Sequence, residues 1–384
     1  MPLGSARSAL EPPMTEPHSE AEPGGPETSP VARPDLFGLD RTGLARVAGE
    51  LGEPAYRGAQ LYAWLYRKRA RRFEDMTNLA KALRQRLAAR YRLRWPSLAE
   101  RRVSSDGTVK YLLRLEDGAT VESVYIPEER RRTICLSTQA GCPLKCAFCL
   151  TGVGGYKRNL TVGEILGQVA AVMDDAPPQR LPWNVVMMGM GEPLLNYEAT
   201  AGALRILMDP EGFAVAPKKL TLSTVGILPA LAKLMQEPVR PNLAISLHAP
   251  NAALRRELMP IEARYPLEAV IAAAQRYALP RGGRVTYEYV LLRGVNDSVT
   301  HARELARLLS GSRCKVNLIP LNPAPELPFA PPTPEAVDAF CAVLADSQLT
   351  VSVRRPRGRD ILAACGQLQL KRAAAPPALA PATP

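Results

Sequence analysis

The chain has 384 residues, 46% of them apolar, with 49 Lys and Arg against 37 Asp and Glu and a net charge of +12. That length can bury a substantial core, as one large domain with an appendage or as two domains. No apolar run approaches the roughly 18 residues of a membrane span, and MPLGSARSALEPPMTEPHSE lacks the basic-then-apolar order of a secretory signal, so a cytoplasmic protein is expected.

Residues 1–34 hold eight prolines among Glu, Ser and Gly and read as a disordered extension. Residues 35–104 read as a basic helical accessory domain, with amphipathic runs GAQLYAWLYRKRA (58–70) and NLAKALRQRLAARY (78–91). Within it, residues 57–102 carry fourteen Lys and Arg against Glu74, Asp75 and Glu100, which is nearly the whole net charge. RKRARR (67–72) and ARYRLRW (89–95) interleave arginines with Tyr66, Phe73, Tyr91 and Trp95. Two readings stay open here: a solvated arginine-rich helix face, or a nucleic-acid footprint in which guanidiniums meet phosphates and rings stack on bases. Residues 105–132 read as a β-hairpin extension, because TVKYLLRLEDGATVESVYI (108–126) places two alternating apolar runs around Glu-Asp-Gly.

From 133 to 370 strands alternate with helices. Strand-like runs are TICLST (133–138), NVVMMGM (184–190), KLTLST (219–224), NLAISLH (242–248), VTYEYVLL (285–292) and KVNLIPL (315–321), with QLTVSVRR (348–355) ending the domain. Six β-α repeats with near-continuous apolar strands predict a parallel sheet covered by helices. Two repeats short of a closed barrel, the α/β architecture expected is a partial (β/α)6 barrel, with a doubly wound sheet as the alternative. Residues 371–384 read as a second disordered tail.

In such folds chemistry gathers at the carboxyl ends of the strands. Here those ends carry, in turn, the cysteines after TICLST, the turn Gly189-Met190-Gly191-Glu192-Pro193, Ser223-Thr224, Ser246-Leu247-His248, and Asn322. The cysteines lie in GCPLKCAFC (141–149), as Cys142, Cys146 and Cys149. Thiolates at this spacing bind zinc or an iron–sulfur cluster. Three ligands leave one iron of a four-iron cluster open; the bland alternative is a structural zinc completed by a remote Cys or His. The other cysteines, at 135, 314, 341 and 365, are isolated from one another, and Cys314 and Cys341 read as buried filler.

Cys142-x-x-x-Cys146-x-x-Cys149, with Phe148 before the last cysteine, resembles the signature of radical S-adenosylmethionine enzymes. The resemblance implies a [4Fe-4S] cluster on these three cysteines, S-adenosylmethionine on its open iron, and the partial barrel. VMMGMGEPLLNY (186–197), TLSTVG (221–226), AISLHAPN (244–251), VNLIPLNP (316–323) and AACGQL (363–368) are similar to the methyltransferases that act on carbon 2 of an adenine in 23S rRNA. Bacterial relatives also modify a tRNA adenine beside the anticodon. The resemblance runs from about 36 to 370, with small departures at Val225, where Ser is common, and Leu150, where a smaller residue is common.

It implies a set of roles. Gly191, Glu192, Ser223, Ser246, Leu247, His248 and Asn322 would hold S-adenosylmethionine. Cys365 would be the S-methylcysteine intermediate, Cys135 the resolving thiol that forms a transient disulfide with it, and Glu122 the proton acceptor. Carbon 2 is electron-poor and does not attack an electrophilic methyl, so a radical route consuming two S-adenosylmethionine per methyl group is expected. From position alone, Cys135 reads equally as core, and Glu122, among apolar neighbours in VESVYIPE, reads as a solvent-facing strand carboxylate. A carboxylate held in apolar surroundings would gain basicity. A flavodoxin-type electron donor and a monomeric state complete the expectation. The rivals are the sister enzyme that methylates carbon 8 of the same adenine, and a non-enzymatic RNA-binding protein with a structural metal site.

Overall fold

The computed structural model describes residues 33–277, 279 and 283–369. The two Pro-rich segments expected to be disordered lie outside the described residues, apart from Arg33 and Pro34.

The chain begins with a helical layer: α1 (Arg41–Glu50), α2 (Tyr56–Tyr62), which runs on into one π-helical turn at Ala63–Arg67, and α3 (Lys81–Arg90). Asp40 starts α1 by accepting from the Gly43 N–H at 2.8 Å, so an orphan amide of the first turn is satisfied. The apolar stripes expected from the sequence face inward, and Leu44, Leu61, Leu65, Tyr66, Leu83 and Leu87 are buried. Gly58 lets α2 cross α1 closely, because a Cβ there would stand 2.6 Å from the Ala45 backbone.

The strands follow: β1 (Ser97–Val103), β2 (Val109–Arg114), β3 (Thr120–Glu128), β4 (Arg131–Cys135) and β5 (Gln139–Gly141). After the short helix α4 (Leu150–Val153) come β6 (Tyr156–Asn159), α5 (Val162–Asp175), β7 (Trp183–Met187), α6 (Tyr197–Met208), β8 (Leu220–Thr224), α7 (Leu228–Leu234) and β9 (Asn242–Ser246). The chain continues through α8 (Ala252–Leu258), α9 (Leu267–Gln275), β10 (Val285–Leu291), α10 (Val299–Leu308), β11 (Cys314–Pro320), α11 (Pro334–Asp346) and β12 (Thr350–Val353).

Ten strands form one sheet in the order β1-β2-β3-β4-β7-β8-β9-β10-β11-β12. The first three pairings are antiparallel. The six from β4 to β12 are parallel. The order never reverses, so the sheet lacks the switch point of a doubly wound fold and curls as the partial (β/α)6 barrel, with β12 as a further parallel strand. β2 and β3 are the expected hairpin, closed by Leu115 N–H to Ala119 O at 2.8 Å. One correction is needed at the end of the basic region: residues 97–103, placed in the helical accessory domain, form strand β1. SLAERRV is polar on both faces and almost wholly exposed, so it carries no alternation to read, and its ladder with β2 makes it a strand. The two-stranded sheet β5–β6 beside the first cysteine turn is a second element without a sequence signal.

Inside the barrel a polar row crosses four strands in register: Ser246 faces Glu288, Glu288 faces Asn317, and Asn317 faces Ser352. Asn317 donates to Glu288 at 2.8 Å and Ser352 donates to Asn317 at 3.0 Å, so the buried Glu288 and its half-buried neighbours satisfy one another. Ser246 and Glu288 of this row line the cavity at the carboxyl ends of the strands.

Candidate active site

The turn 141–149 is framed by β5, β6 and α4. Gly141 has φ +83°, and a Cβ there would run into the Gly155 carbonyl, to which Cys142 N–H donates at 2.8 Å. Ala147 N–H reaches Leu258 O on α8 at 2.9 Å, and Cys149 N–H reaches Cys146 O at 3.2 Å. Cys142, Cys146 and Cys149 all line one cavity, which holds about 990 Å³ of space free of atoms, part of it open to solvent. Burial pushes the Cys142 thiol up to about 12 and Cys146 well above its ordinary value, and the neighbouring thiols push both further. Such thiols ionise only beside a strong positive charge, which a bound metal centre provides. Among the described residues no three His, Cys, Asp or Glu side chains converge as a single ion requires. Three thiols on the wall of one cavity, close enough to shift one another, can together hold a metal centre.

Gly189, Gly191, Glu192, Ser223, Ser246, His248 and Asn322 line the same cavity. Gly191, at φ +100°, packs where a Cβ would meet the Gln139 side chain at 2.5 Å. Glu192 is buried, and its carboxylate accepts from Leu194 N–H at 2.9 Å, Thr224 Oγ1 at 2.6 Å and Val225 N–H at 2.9 Å. It therefore fastens the end of β7 to the end of β8 as well as facing the cavity. Burial raises its pKa to about 7, against the pull of those three donors. Ser223 and Ser246 hydroxyls stand 3.3 Å apart.

His248 sits at φ +60°, where its Nδ1 accepts from Val290 N–H at 3.0 Å. Burial lowers its pKa to about 3, so the ring is neutral and its proton sits on Nε2. Its ring packs edge-on against Phe148, centroids 4.7 Å apart. Asn322 is buried with its Oδ1 lacking any hydrogen-bond partner. Leu247 stands apart from the others: its side chain is in the core, its N–H donates to Glu288 O, and its carbonyl accepts from Arg255.

Cys365 lines the cavity wall, and Cys135, at the end of β4, is within electrostatic range of it. Cys135 ends β4, and Cys365 lies in the segment after β12, lining both the main cavity and a smaller adjoining one. Burial pushes the Cys135 thiol up to about 12, and Cys365 is near enough to push it in the same direction while Arg354 opposes. Cys135 pairs across the ladder with Val124, and Glu122 is two residues from Val124, so Glu122 and Cys135 share one face of the sheet. The expected apolar surroundings of Glu122 need correcting. It is buried, but Lys110 stands 3.0 Å from Oε1 and the Gln369 N–H donates to Oε2 at 2.9 Å. These partners come from β2 and the C-terminal segment, which the apolar neighbours on the strand cannot reveal.

A family model for the radical S-adenosylmethionine superfamily matches residues 136–306, and one for the N-terminal domain of ribosomal RNA large subunit methyltransferases matches 34–93. A probable dual-specificity RNA methyltransferase RlmN from Gemmatimonas aurantiaca is 46% identical over 343 residues, 88% of this chain and 94% of the relative. The dual-specificity RNA methyltransferase RlmN of Nitratidesulfovibrio vulgaris is 47% identical over 85% of this chain and 91% of its own. The chain belongs to the RlmN family of radical S-adenosylmethionine RNA methyltransferases. A crystal structure of a radical SAM methyltransferase from Sphaerobacter thermophilus superposes with a TM-score of 0.82, at 45% identity, covering 87% of this chain and 99% of that one.

Membership in the RlmN family implies a [4Fe-4S] cluster and S-adenosylmethionine, and the residues present fit both. The three thiols suit the cluster, while the orphaned Asn322 Oδ1 and the neutral His248 offer an acceptor and a donor to a polar ligand beside it. No helix among the described residues is long and apolar enough to cross a membrane.

Three residues of this RlmN-family cavity escaped sequence reasoning. Glu288 and Arg354 line its wall, and Arg255 holds its rim from behind. Arg255 is fully buried; it pairs with Glu262 and donates to Val225 O at 2.8 Å and Leu247 O at 3.3 Å, tying the turns after β8 and β9 together. A signal existed for Glu288, the lone carboxylate in VTYEYVLL. None existed for Arg255, one of several arginines on a polar helix.

Proposed function

We propose that this chain methylates carbon 2 of a specific adenine in 23S rRNA, and of a tRNA adenine beside the anticodon, through an S-methylcysteine at Cys365. The observation that carries the proposal is that Cys365 lines the cavity that also holds the three cluster cysteines, with Cys135 at the end of β4 within electrostatic range of it. When bound, the cluster on Cys142, Cys146 and Cys149, with two S-adenosylmethionine per turnover, supplies the methyl group and a 5′-deoxyadenosyl radical. Gly191, Glu192, Ser223, Ser246, His248 and Asn322 hold the ligand, with Leu247 contributing only through the backbone turn it fixes.

Cys365 accepts the methyl on sulfur, loses one hydrogen atom from it, and presents the resulting carbon radical to carbon 2. The adduct radical gives up one electron, which would return to the cluster held by Cys142, Cys146 and Cys149, and Glu122 takes the carbon-2 proton, which requires the Gln369 N–H to release it. The Cys135 sulfur then attacks Cys365: an S–S bond forms, the S–C bond breaks, and the departing carbon takes a proton to become the product methyl. A flavodoxin-type protein is the proposed reductant, and the enzyme is proposed to act as a cytoplasmic monomer.

The test uses Cys135→Ala. Without the resolving thiol, protein covalently joined to RNA should accumulate through Cys365, visible as a gel shift and as a cross-linked peptide by mass spectrometry. A folded Cys135→Ala protein that turns over normally sinks the resolving role. Nucleoside analysis of RNA modified by the unaltered enzyme should give 2-methyladenosine; 8-methyladenosine would assign the sister activity instead.

A further inference from the structure

The charge count points to residues 57–102 as the RNA surface, yet ten of their fourteen cations are already in ion pairs. Arg57 and Arg86 pair with Glu53, Arg67 with Glu211, Arg69 and Arg71 with Asp174, and Arg72 with Asp75. Arg92 and Arg94 share Glu116, Arg101 meets Asp175 and Arg102 meets Glu100. Of the others, Lys68 lies over the Trp64 ring and Arg84 donates to Glu74 O, leaving Lys81 and Arg90. The pairing cancels most of the field that would draw a polyanion to this layer.

The segment 354–359, RRPRGR, differs. Arg355 and Arg359 are exposed and have no ion-pair partner among the described residues. Arg357 holds the segment in place, donating to Pro127 O at 2.7 Å and standing 3.4 Å from Asp106. Gly358, at φ +62°, makes a turn in which a Cβ would stand 2.8 Å from Ala363 and 2.9 Å from Thr108. The smaller cavity opens beside this segment. Its walls include Ile126, Pro356, Ala363 and Ala364, and it shares Asn322, Arg354 and Cys365 with the main cavity. Apolar walls fit the face of a base, and unpaired guanidiniums beside them fit the phosphates of the nucleotide that carries it.

We infer that Arg355 and Arg359 grip the RNA backbone on either side of the base that enters through the smaller cavity toward Cys365. This rests on the RNA methyltransferase reading above. It assigns backbone positioning to the segment that carries the reactive thiol, so the phosphates and Cys365 are held by one stretch of chain.

The experiment measures binding of a fluorescently labelled tRNA transcript to the full chain at several salt concentrations. The R355A/R359A variant is compared with K81A/R90A, which removes the two cations of residues 57–102 left over from the pairing above. The loop variant should lose roughly tenfold in affinity at 0.15 M salt, and its log–log salt slope should fall by about 1.4–1.8, two phosphate contacts' worth. K81A/R90A should stay within about twofold of the parent. Equal binding and slope in the loop variant, or a larger loss in K81A/R90A, overturns the inference while leaving the RNA reading intact. Unchanged RNA binding with slower reduction by flavodoxin also overturns it, assigning the segment to an acidic protein. Salt-independent binding, or none, by the parent chain would instead strike at the RNA reading itself. Both pairs are exposed, so thermal melts should match the parent and separate misfolding from lost contacts.

Discussion

The two thiol-bearing turns at the cavity are fastened in different ways. Residues 141–149 are held by backbone bonds to Gly155, Leu258 and within the turn, and they lean on α8, whose Arg255 is buried against Glu262. Residues 357–369 contain only a short 3-10 turn, Arg359–Ile361, and are held largely by side chains of other elements. Asp106 accepts from Gly358 N–H, Lys110 donates to Leu362 O, Thr151 donates to Leu368 O and Glu122 accepts from Gln369 N–H. Single bonds of this kind contribute about 0.5–1.5 kcal/mol each. The roles proposed for the two turns differ in the same way: a metal ligand set would need fixed geometry, whereas a thiol proposed to visit a cofactor, a nucleobase and a second thiol would need ties that release one at a time.

The sharpest way to break the comparison is at the fixed turn. Arg255→Met leaves Glu262 buried without its partner, and a loss of about 3–5 kcal/mol is expected in denaturant unfolding. A loss under about 1 kcal/mol would show that the fixed turn does not depend on this clamp.

Acid tests the releasable segment. Burial pushes Asp106 up, but hydrogen bonds from Thr108, Gly358 and Ser104 prevail and hold it at about 2, below its ordinary 3.8. A depressed carboxyl contributes stability that is present above the unfolded value and lost as pH falls from 3.8 through about 2. For this part-exposed group the loss is about 1–2 kcal/mol. Asp106→Asn at neutral pH should mimic it, with faster amide exchange confined to 357–369; an unchanged exchange pattern would remove Asp106 from the set of ties. The smallest effect is expected for Thr151→Val. Losing the 2.6 Å bond to Leu368 O should weaken closure by about 1 kcal/mol, seen as roughly fivefold faster proteolysis within 354–369. Equal rates would mean that the remaining ties hold the segment without it.

Much of this was legible in the chain. Near-continuous apolar strands announced the parallel sheet, and polar residues at successive strand ends announced the rim, because both patterns are local. What stayed hidden depends on partners distant in sequence. SLAERRV becomes β1 only through its ladder with β2. Glu122 is an ion-paired carboxylate only because β2 brings Lys110 beside it and the C-terminal segment brings Gln369. The arginine-rich helices looked like free positive charge because their partners, Glu116, Asp174, Asp175 and Glu211, lie up to 144 positions away. The domain limits drawn at 34, 104, 132 and 370 are proposals; the described residues from Pro34 onward fall in one compact unit.

The ten-stranded sheet starts at β1 and stops at β12 without meeting itself. Beyond β12 the chain crosses to the hairpin side, where Arg357 meets Pro127, Gly358 meets Asp106 and Leu362 meets Lys110. The wall next to Cys365 is therefore a zipped seam and not a hydrogen-bonded strand pair. A fully closed barrel admits a ligand only through its end, which suits a small free molecule. On the entry route proposed above, a lateral seam would admit a residue still bonded to its neighbours on both sides, so a nucleotide deep inside a long polymer could enter and leave without a free end ever being threaded.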